Sequence, residues 1–143
     1  MYVIIAGCGR LGAHLATSLS DKGLDVAVVD GDSKNFSKLG FGFDGITVIG
    51  VPIDEDVLRK AGIENADALA AVSQDDNLNI MTALIARDMF NVPKVYVRVG
   101  DPEKAEFYRK EYKLETLSLI SYGSDFIEGM IKDYSSRDRG VVR

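Results

Sequence analysis

Three glycines near the start of the chain, Gly7, Gly9 and Gly12, have the G-x-G-x-x-G spacing of a turn that binds a diphosphate. The apolar run 3–6 precedes them, and leucines at four-residue spacing over 11–19 follow, so the turn would join a strand to a helix. In such a turn the first glycine makes the bend, the second lets backbone amides approach the phosphates, and the third lets the helix pack on the strand. The expected ligand is an adenine nucleotide.

A carboxylate follows the next apolar, β-branched run, residues 26–29. At the end of such a strand, Asp30 would accept hydrogen bonds from the ribose hydroxyls of the nucleotide. Asp32 lies close by and makes the pocket unfavourable for a 2′-phosphate, so NADP is disfavoured. Asp32 has an equally good alternative role as the cap of a short helix that begins near Ser33.

Two other side chains of the glycine turn offer chemistry of their own. Arg10 places a fixed cation beside the phosphates and could form charge-assisted contacts with a di- or triphosphate, while a surface ion pair is the alternative. Cys8 is better explained as a small side chain packed in a crowded turn than as a redox group.

Side chains suited to catalysis are few. The single histidine, His14, is interpreted as a half-buried structural residue. The sequence has no Tyr-x-x-x-Lys pair, no G-K-[ST] phosphate loop and no cysteine or histidine pair that could bind zinc. The sequence therefore predicts a nucleotide site with no catalytic residue and no metal.

Composition limits the classes of partner. A chain of 143 residues is most simply one domain. Its net charge of -5 argues against general affinity for nucleic acid or anionic lipid. It has no apolar run of about 18 residues and no signal peptide, and a single cysteine suits a reducing compartment, so a cytoplasmic location is expected.

Strand and helix signals alternate along the chain, which predicts an α/β fold with a doubly wound parallel sheet of about six strands in the order 3-2-1-4-5-6. Helices are predicted after the glycine turn, near Ser33, after Asp54, from Asp75 or Asp76 to about Phe90, after Asp101, and over 124–134. Strands are predicted at 3–6, 26–29, 46–49, 68–72, 94–99 and 116–120.

In such a sheet, ligands bind beyond the carboxyl ends of the strands where the strand order reverses. The loops at that edge supply the candidate nucleotide-binding residues. These are Gly7, Cys8, Gly9, Arg10, Leu11, Gly12, Asp30, Gly31, Asp32, Gly50, Val51, Pro52, Ser73, Asn79 and Arg98.

The last predicted helix carries a broad apolar surface that includes Phe126, Ile127, Met130, Ile131 and Tyr134. Either the helix lies on its own sheet, or it packs on another subunit. The domain is predicted to span residues 1–134, followed by a flexible tail, 135–143.

Five ordered motifs resemble the RCK (regulator of potassium conductance) or TrkA-N domain of the Trk/Ktr potassium-uptake regulatory proteins, over residues 1–134. They are Gly7-Cys8-Gly9-Arg10-Leu11-Gly12, Val29-Asp30-x-Asp32, Leu58-x-x-Ala61-Gly62-Ile63-x-x-Ala66-Asp67, Ser73-x-Asp75-Asp76-x-x-Asn79 and Val97-Arg98-Val99.

This resemblance implies a Rossmann-like, non-catalytic gating subunit that binds ATP, ADP, AMP or NAD(H). It also implies dimers within a ring, possibly octameric, beneath a potassium-translocating membrane subunit at the inner face of the cell membrane. By resemblance, the glycine turn and Arg10 hold phosphates, Asp30 holds the ribose, Asp32 and Arg98 lie near ligand or dimer contacts, and Gly50 and the residues after it lie near the adenine.

Two features depart from the family pattern. Val51-Pro52-Ile53 stands where relatives have Asp-Ala-Thr or Asp-Ala-Ser, which removes an acid and a hydroxyl. The C-lobe that follows in most relatives is absent, so the sequence is either part of a longer chain or a half-length subunit that joins a second RCK chain carrying that lobe.

Two alternatives remain. The first is a small NAD-dependent oxidoreductase or its cofactor-binding domain. The second is a redox-sensing transcriptional regulator of Rossmann type, although the sequence shows no helix-turn-helix segment and no basic patch.

Overall fold

The computed structural model describes the backbone of residues 1–142 and the side chains of residues 1–135. Its strands are β1 (Tyr2–Ala6), β2 (Asp25–Asp30), β3 (Ile46–Ile49), β4 (Ala68–Ala71), β5 (Lys94–Arg98) and β6 (Glu115–Leu117). They form one parallel sheet in the order β3-β2-β1-β4-β5-β6. The predicted doubly wound fold is confirmed.

The α-helices are α1 (Arg10–Asp21), α2 (Glu55–Lys60), α3 (Asp76–Leu84), α4 (Pro102–Tyr112) and α5 (Leu119–Val142). A 3₁₀-helix spans Ser33–Leu39, a second spans Ile63–Asn65, and a π-helical segment, Ile85–Met89, follows α3. The predicted carboxylate caps are correct, since the side chains of Asp54, Asp75 and Asp101 accept hydrogen bonds from backbone N–H groups in the first turns of α2, α3 and α4.

The two faces of the sheet bury separate apolar clusters. Because side chains alternate along a strand, Val3 and Ile5 of β1 face α1 and the Ser33–Leu39 helix, whereas Ile4 faces α2, α3 and α4. The strands of the sheet centre are buried on both faces, as expected for a parallel sheet.

The end of the chain corrects one prediction. The strand predicted at 116–120 stops at Leu117, and the last helix begins at Leu119 instead of Ser124. The Ser118 hydroxyl accepts a hydrogen bond from the Ser121 N–H at 3.3 Å, and the Ser118 carbonyl accepts one from the Tyr122 N–H at 2.9 Å. The apolar pair after Ser118 therefore starts a helix, because this serine closes its first turn.

The flexible tail predicted at 135–143 lies, beyond Ser135, outside the residues whose side chains the structure describes. In the part of the chain that is described, no helix has the combination of length and hydropathy that a membrane crossing requires.

The sheet register brings the candidate loops together. Ala6, the last residue of β1, pairs with Val29 of β2 on one side and with Ala71 of β4 on the other. The three strands therefore end at one level, and the glycine turn that follows β1 lies between the loops that begin at Asp30 and Ser73.

Candidate functional site

Gly7 and Gly12 are required by close backbone contacts. Gly7 has φ +111°, and a Cβ built on it would lie 2.7 Å from the Ser73 backbone nitrogen. A Cβ on Gly12 would lie 1.8 Å from the Gly7 carbonyl oxygen. A side chain at position 7 would push the turn away from the segment after β4, and a side chain at position 12 would push α1 away from the turn. Both glycines are therefore needed for the local fold.

Gly9 differs from its two neighbours. Its backbone is extended, with φ -79° and ψ -164°, a conformation that other residues adopt freely. Apart from Gly9 itself and its chain neighbours, no atom of the described residues lies within 4 Å of the position where its Cβ would stand. It caps α1 without any side-chain hydrogen bond from the residues described, so amides of the first helical turn and the space before them face an open cleft.

The glycine-turn cleft has a volume of about 340 Å³. It is lined by Gly7, Gly9, Arg10, Asp30, Asn35, Lys38, Ser73 and Gln74. A second cleft of about 250 Å³ shares four of these residues and extends the space to Gly31, Pro52 and Leu78. The two volumes meet at the edge where the strand order reverses, which is the position expected for a nucleotide.

Asp30 is held by three protein donors. Its carboxylate accepts hydrogen bonds from the Cys8 N–H at 2.8 Å, the Asp32 N–H at 2.8 Å and the Asn35 side-chain amide at 3.0 Å. Burial on its own would raise the pKa of this carboxyl, but the three hydrogen bonds and the nearby Lys38 charge outweigh it and hold the pKa below its usual range. Asp30 is therefore ionised at neutral pH and ready to accept a hydroxyl.

Asn35 and Lys38 line the cleft and were missed in the sequence. Both belong to the Ser33–Leu39 3₁₀-helix, and the Lys38 ammonium donates to the Asn35 carboxamide oxygen at 2.7 Å. The signal that could have found them is their three-residue spacing. This spacing places both side chains on one side of a 3₁₀-helix, but it predicts nothing if the segment is taken as a loop.

Arg10 lies at the mouth of the cleft with an exposed side chain. It forms no ion pair with any side chain that the structure describes. The alternative role for Arg10, a surface ion pair, therefore has no support among these residues. His14, one turn further along α1, is exposed and not half-buried as predicted, because it lies on the face of α1 away from Ala13 and Ala16.

Asp32 takes the capping role. Its carboxylate accepts a hydrogen bond from the Lys34 N–H at 3.0 Å and starts the 3₁₀-helix. Among the other candidates, Leu11 packs against the apolar cluster beside α1, and Gly50 donates its N–H to the Asp30 carbonyl at 3.0 Å. Val51 is exposed beside Pro52, which lines the second cleft.

Asn79 and Arg98 do not line either cleft. The Asn79 side chain is buried and forms hydrogen bonds with Ser73 and with the Arg98 carbonyl. It supports the loop that carries Ser73, and direct ligand contact from Asn79 would require it to break these bonds.

Cys8 is completely buried under the glycine turn. Burial, and next the Asp30 charge, raise the pKa of its thiol, while Lys38 lowers it to a smaller extent. A buried, protonated thiol is a poor nucleophile, which fits the packing role. Over the residues described, no group of three or more metal-ligating side chains comes together.

Comparisons with known proteins agree on a family. The TrkA-N domain model matches residues 3–117. The Trk system potassium uptake protein TrkA of Streptomyces coelicolor is 45% identical over 125 residues, which cover 87% of this chain and 56% of that protein. The chain thus spans about half the length of this relative.

Solved structures share the fold. The TrkA-N domain of inner membrane protein ybaL from Escherichia coli has a TM-score of 0.78 at 15% identity, covering 90% of this chain and 95% of that one. The AMP-bound form of the Kef CTD from Shewanella denitrificans has a TM-score of 0.74 at 21% identity, covering 92% and 80%. The family match covers most of the chain, and the glycine turn, Asp30 and the sheet order lie within it, so this chain belongs to the TrkA-N domain family.

Proposed function

We propose that this domain binds an adenine nucleotide in the glycine-turn cleft and serves as the regulatory part of a potassium-uptake system. The observation that carries the proposal is the convergence of three features on one cleft: the backbone amides that follow Gly9, the ionised Asp30 carboxylate and the Arg10 cation. Amides of a helix N-terminus bind phosphate, a strand-end carboxylate binds ribose, and an arginine adds charge-assisted contacts to phosphates.

The ligand class is an adenine nucleotide such as ATP, ADP, AMP or NAD(H). The AMP-bound relative of the same fold and the Trk uptake protein with 45% identity support this class and this role. An oxidoreductase is the alternative function, and it is tested by hydride exchange with NADH. Exchange catalysed by the isolated domain would contradict a purely regulatory role.

Regulation follows from differential binding. Nucleotides with different phosphate numbers shift a conformational equilibrium only if their contacts differ between the two states. We expect Arg10 to make that difference, because it is the first residue of α1 and lines the cleft next to Gly9, where the phosphates are proposed to bind.

Replacing Arg10 by alanine is expected to weaken the discrimination between ATP and ADP more than it weakens AMP binding. The substitution removes a charged hydrogen bond to the outer phosphates, and a bond of that kind contributes about 1.5–3 kcal/mol. Isothermal titration calorimetry with the three nucleotides measures it. Lys22→Ala, which removes an exposed cation at the other end of α1, is the matched control. Equal losses for all three nucleotides would contradict this role of Arg10.

Assembly is the second part of the proposal. On α5, the side chains of Phe126, Ile127, Met130, Ile131 and Tyr134 are all more than half exposed. An apolar groove of about 270 Å³ lies beside α1, lined by residues that include Leu15, Leu19, Leu24 and Tyr96. An exposed apolar surface of this kind marks an interface. We place α5 of one copy against the groove of a second, giving dimers within a ring.

Charge on this face of α5 is expected to separate the copies. The double variant I127D/I131D should sediment as a smaller species than the unmodified domain at equal concentration, with an unchanged circular dichroism spectrum. Glu128→Lys, which changes the charge of an exposed residue of the same helix, is the control. An unmodified domain that is already monomeric would contradict this interface.

The wider assembly extends the same proposal. Dimers would join in a ring, or in a hetero-complex with a second RCK chain that carries a C-lobe, on a potassium-translocating membrane subunit. Through that subunit the domain would lie at the inner face of the cell membrane. Co-purification of the domain with such a subunit tests this placement.

A further inference from the structure

The Ser33–Leu39 3₁₀-helix divides its side chains into three rows, because a 3₁₀-helix has three residues per turn. Phe36 and Leu39 form the row that packs into the apolar cluster beside α1. Lys34 and Ser37 form an exposed row. Asn35 and Lys38 form the third row, and this row faces the glycine-turn cleft.

A chain of hydrogen bonds fixes this third row. The Lys38 ammonium donates to the Asn35 carboxamide oxygen at 2.7 Å, and the Asn35 amide nitrogen donates to Asp30 at 3.0 Å. The Asn35 carbonyl lies 3.3 Å from the Cys8 sulfur, which donates to it, so the backbone of this row touches the glycine turn. The ammonium is thereby held at the lining of the cleft, on the side of Asp30.

The charge balance of the cleft favours an anion. Its charged lining residues are Arg10, Lys38 and Asp30, two cations and one carboxylate. In the described part of the chain neither cation forms an ion pair, and the Asp30 carboxylate already accepts three hydrogen bonds. The charged side chains that line the cleft therefore sum to a positive charge, although the whole chain has a net charge of -5.

We propose that Lys38 binds a second phosphoryl group of the nucleotide, one beyond the 5′-monophosphate, and that Asn35 positions its ammonium. The inference rests on nucleotide binding in the glycine-turn cleft as proposed above. The α-phosphate has the amides after Gly9, so Lys38, which Asn35 holds beside Asp30, adds affinity for a nucleotide with a further phosphoryl group. That group has two possible sources, the β-phosphate of a 5′-diphosphate or a phosphate on the ribose beside Asp30.

The test compares Lys38→Met with Lys34→Met. Both variants remove one exposed lysine from the same 3₁₀-helix, but only Lys38 lines the cleft. The ligands are AMP, ADP and adenosine 2′,5′-bisphosphate, and the readout is the dissociation constant from calorimetry. Lys38→Met is expected to weaken the binding of one of the two ligands that carry a second phosphoryl group, ADP or the 2′,5′-bisphosphate, about tenfold, equivalent to about 1.4 kcal/mol, and to leave AMP binding unchanged. Lys34→Met should change none of the three.

The outcomes separate the two proposals. A loss confined to ADP places the 5′-diphosphate at Lys38, and a loss confined to the 2′,5′-bisphosphate places the ribose phosphate there and overturns the expectation that NADP is disfavoured. Unchanged affinities of Lys38→Met for both, or an equal loss for AMP, overturn the inference alone. If the unmodified domain binds none of the ligands, the proposed function fails and the inference fails with it.

The role of Asn35 has its own readout. Asn35→Ala releases both the Lys38 ammonium and one acceptor site of Asp30, so it should lower the preference for the second phosphoryl group, measured as the ratio of the dissociation constants of AMP and of the ligand that Lys38 binds. Adding Lys38→Met to Asn35→Ala should then have little further effect on that preference. Additive effects of the two substitutions would show that Asn35 does not position Lys38.

Discussion

Replacing Gly9 by valine is expected to abolish nucleotide binding while leaving the domain folded. The extended backbone of Gly9 accepts a branched residue, and no described atom outside its chain neighbours lies within 4 Å of its Cβ position. That open space is where a phosphate would approach the first amides of α1, so a side chain there excludes the ligand. We expect affinity to fall at least about a hundredfold, equivalent to about 2.7 kcal/mol. Loss of a glycine cap should lower the free energy of unfolding by about 1 kcal/mol.

Gly12→Ala supplies the contrast. In an ordinary helix interior this change stabilises by about 1 kcal/mol. Here the added carbon would lie 1.8 Å from the Gly7 carbonyl oxygen and 3.3 Å from Val72, so α1 must move away from the turn. We expect the sign to reverse, with a loss of about 3 kcal/mol in the free energy of unfolding.

Chemical denaturation and calorimetry on the two variants separate a ligand-facing glycine from a structural one. Gly9→Val should lower the denaturant midpoint by only about a third as much as Gly12→Ala does, in proportion to the expected losses of about 1 and about 3 kcal/mol. Normal nucleotide affinity in Gly9→Val would exclude the phosphate position assigned to the cleft. Equal destabilisation of both variants would exclude the division of roles.

Local chemistry made much of this fold predictable. The carboxylates at positions 54, 75 and 101 cap their helices because an aspartate side chain reaches the N–H groups of the next turn without help from the rest of the chain. The strand order follows from alternating elements and right-handed crossovers, which leave few other topologies. These features depend on residues close together in the sequence.

The errors have two different causes. Leu119 and Ile120 were predicted as the end of a strand, but Ser118, directly before them, caps a helix, so this error is a missed local signal. Asn35 and Lys38 were missed because their common side depends on the 3₁₀ geometry and on Phe36 and Leu39 taking the buried row.

The sequence grouped Asn79 with the ligand-binding residues, yet in the structure its carboxamide joins three elements below the cleft. Its oxygen accepts from the Ser73 N–H at 2.9 Å and from the Ser73 hydroxyl at 2.7 Å. Its nitrogen donates to the Ser73 carbonyl at 2.8 Å and to the Arg98 carbonyl at 2.9 Å. The side chain is 1% exposed, and these four bonds use its full hydrogen-bonding capacity.

Asn79→Leu should therefore destabilise the domain strongly. Leucine fills nearly the same space but removes the hydrogen-bond partner of partly buried backbone groups of Ser73 and Arg98, and each such loss costs about 1–3 kcal/mol. Allowing for partial relaxation, we expect a loss of about 3–4 kcal/mol in the free energy of unfolding, measured by urea titration. Asn77 is an exposed residue of the same helix, and its carboxamide oxygen accepts a hydrogen bond from Lys104, so Asn77→Leu should change the free energy of unfolding by about 0.5 kcal/mol at most.

Asn79→Leu should also weaken nucleotide binding. Ser73 lines both clefts, and its backbone nitrogen is the atom that a Cβ on Gly7 would meet at 2.7 Å, so the Ser73 loop and the glycine turn hold each other in place. When Asn79 no longer fixes that loop, AMP affinity should fall even where calorimetry is run at a temperature that keeps the variant folded. A stability loss with unchanged AMP affinity would mean that the glycine turn keeps its shape when the Ser73 loop is no longer fixed. Asn79 would then stabilise the fold without shaping the nucleotide site.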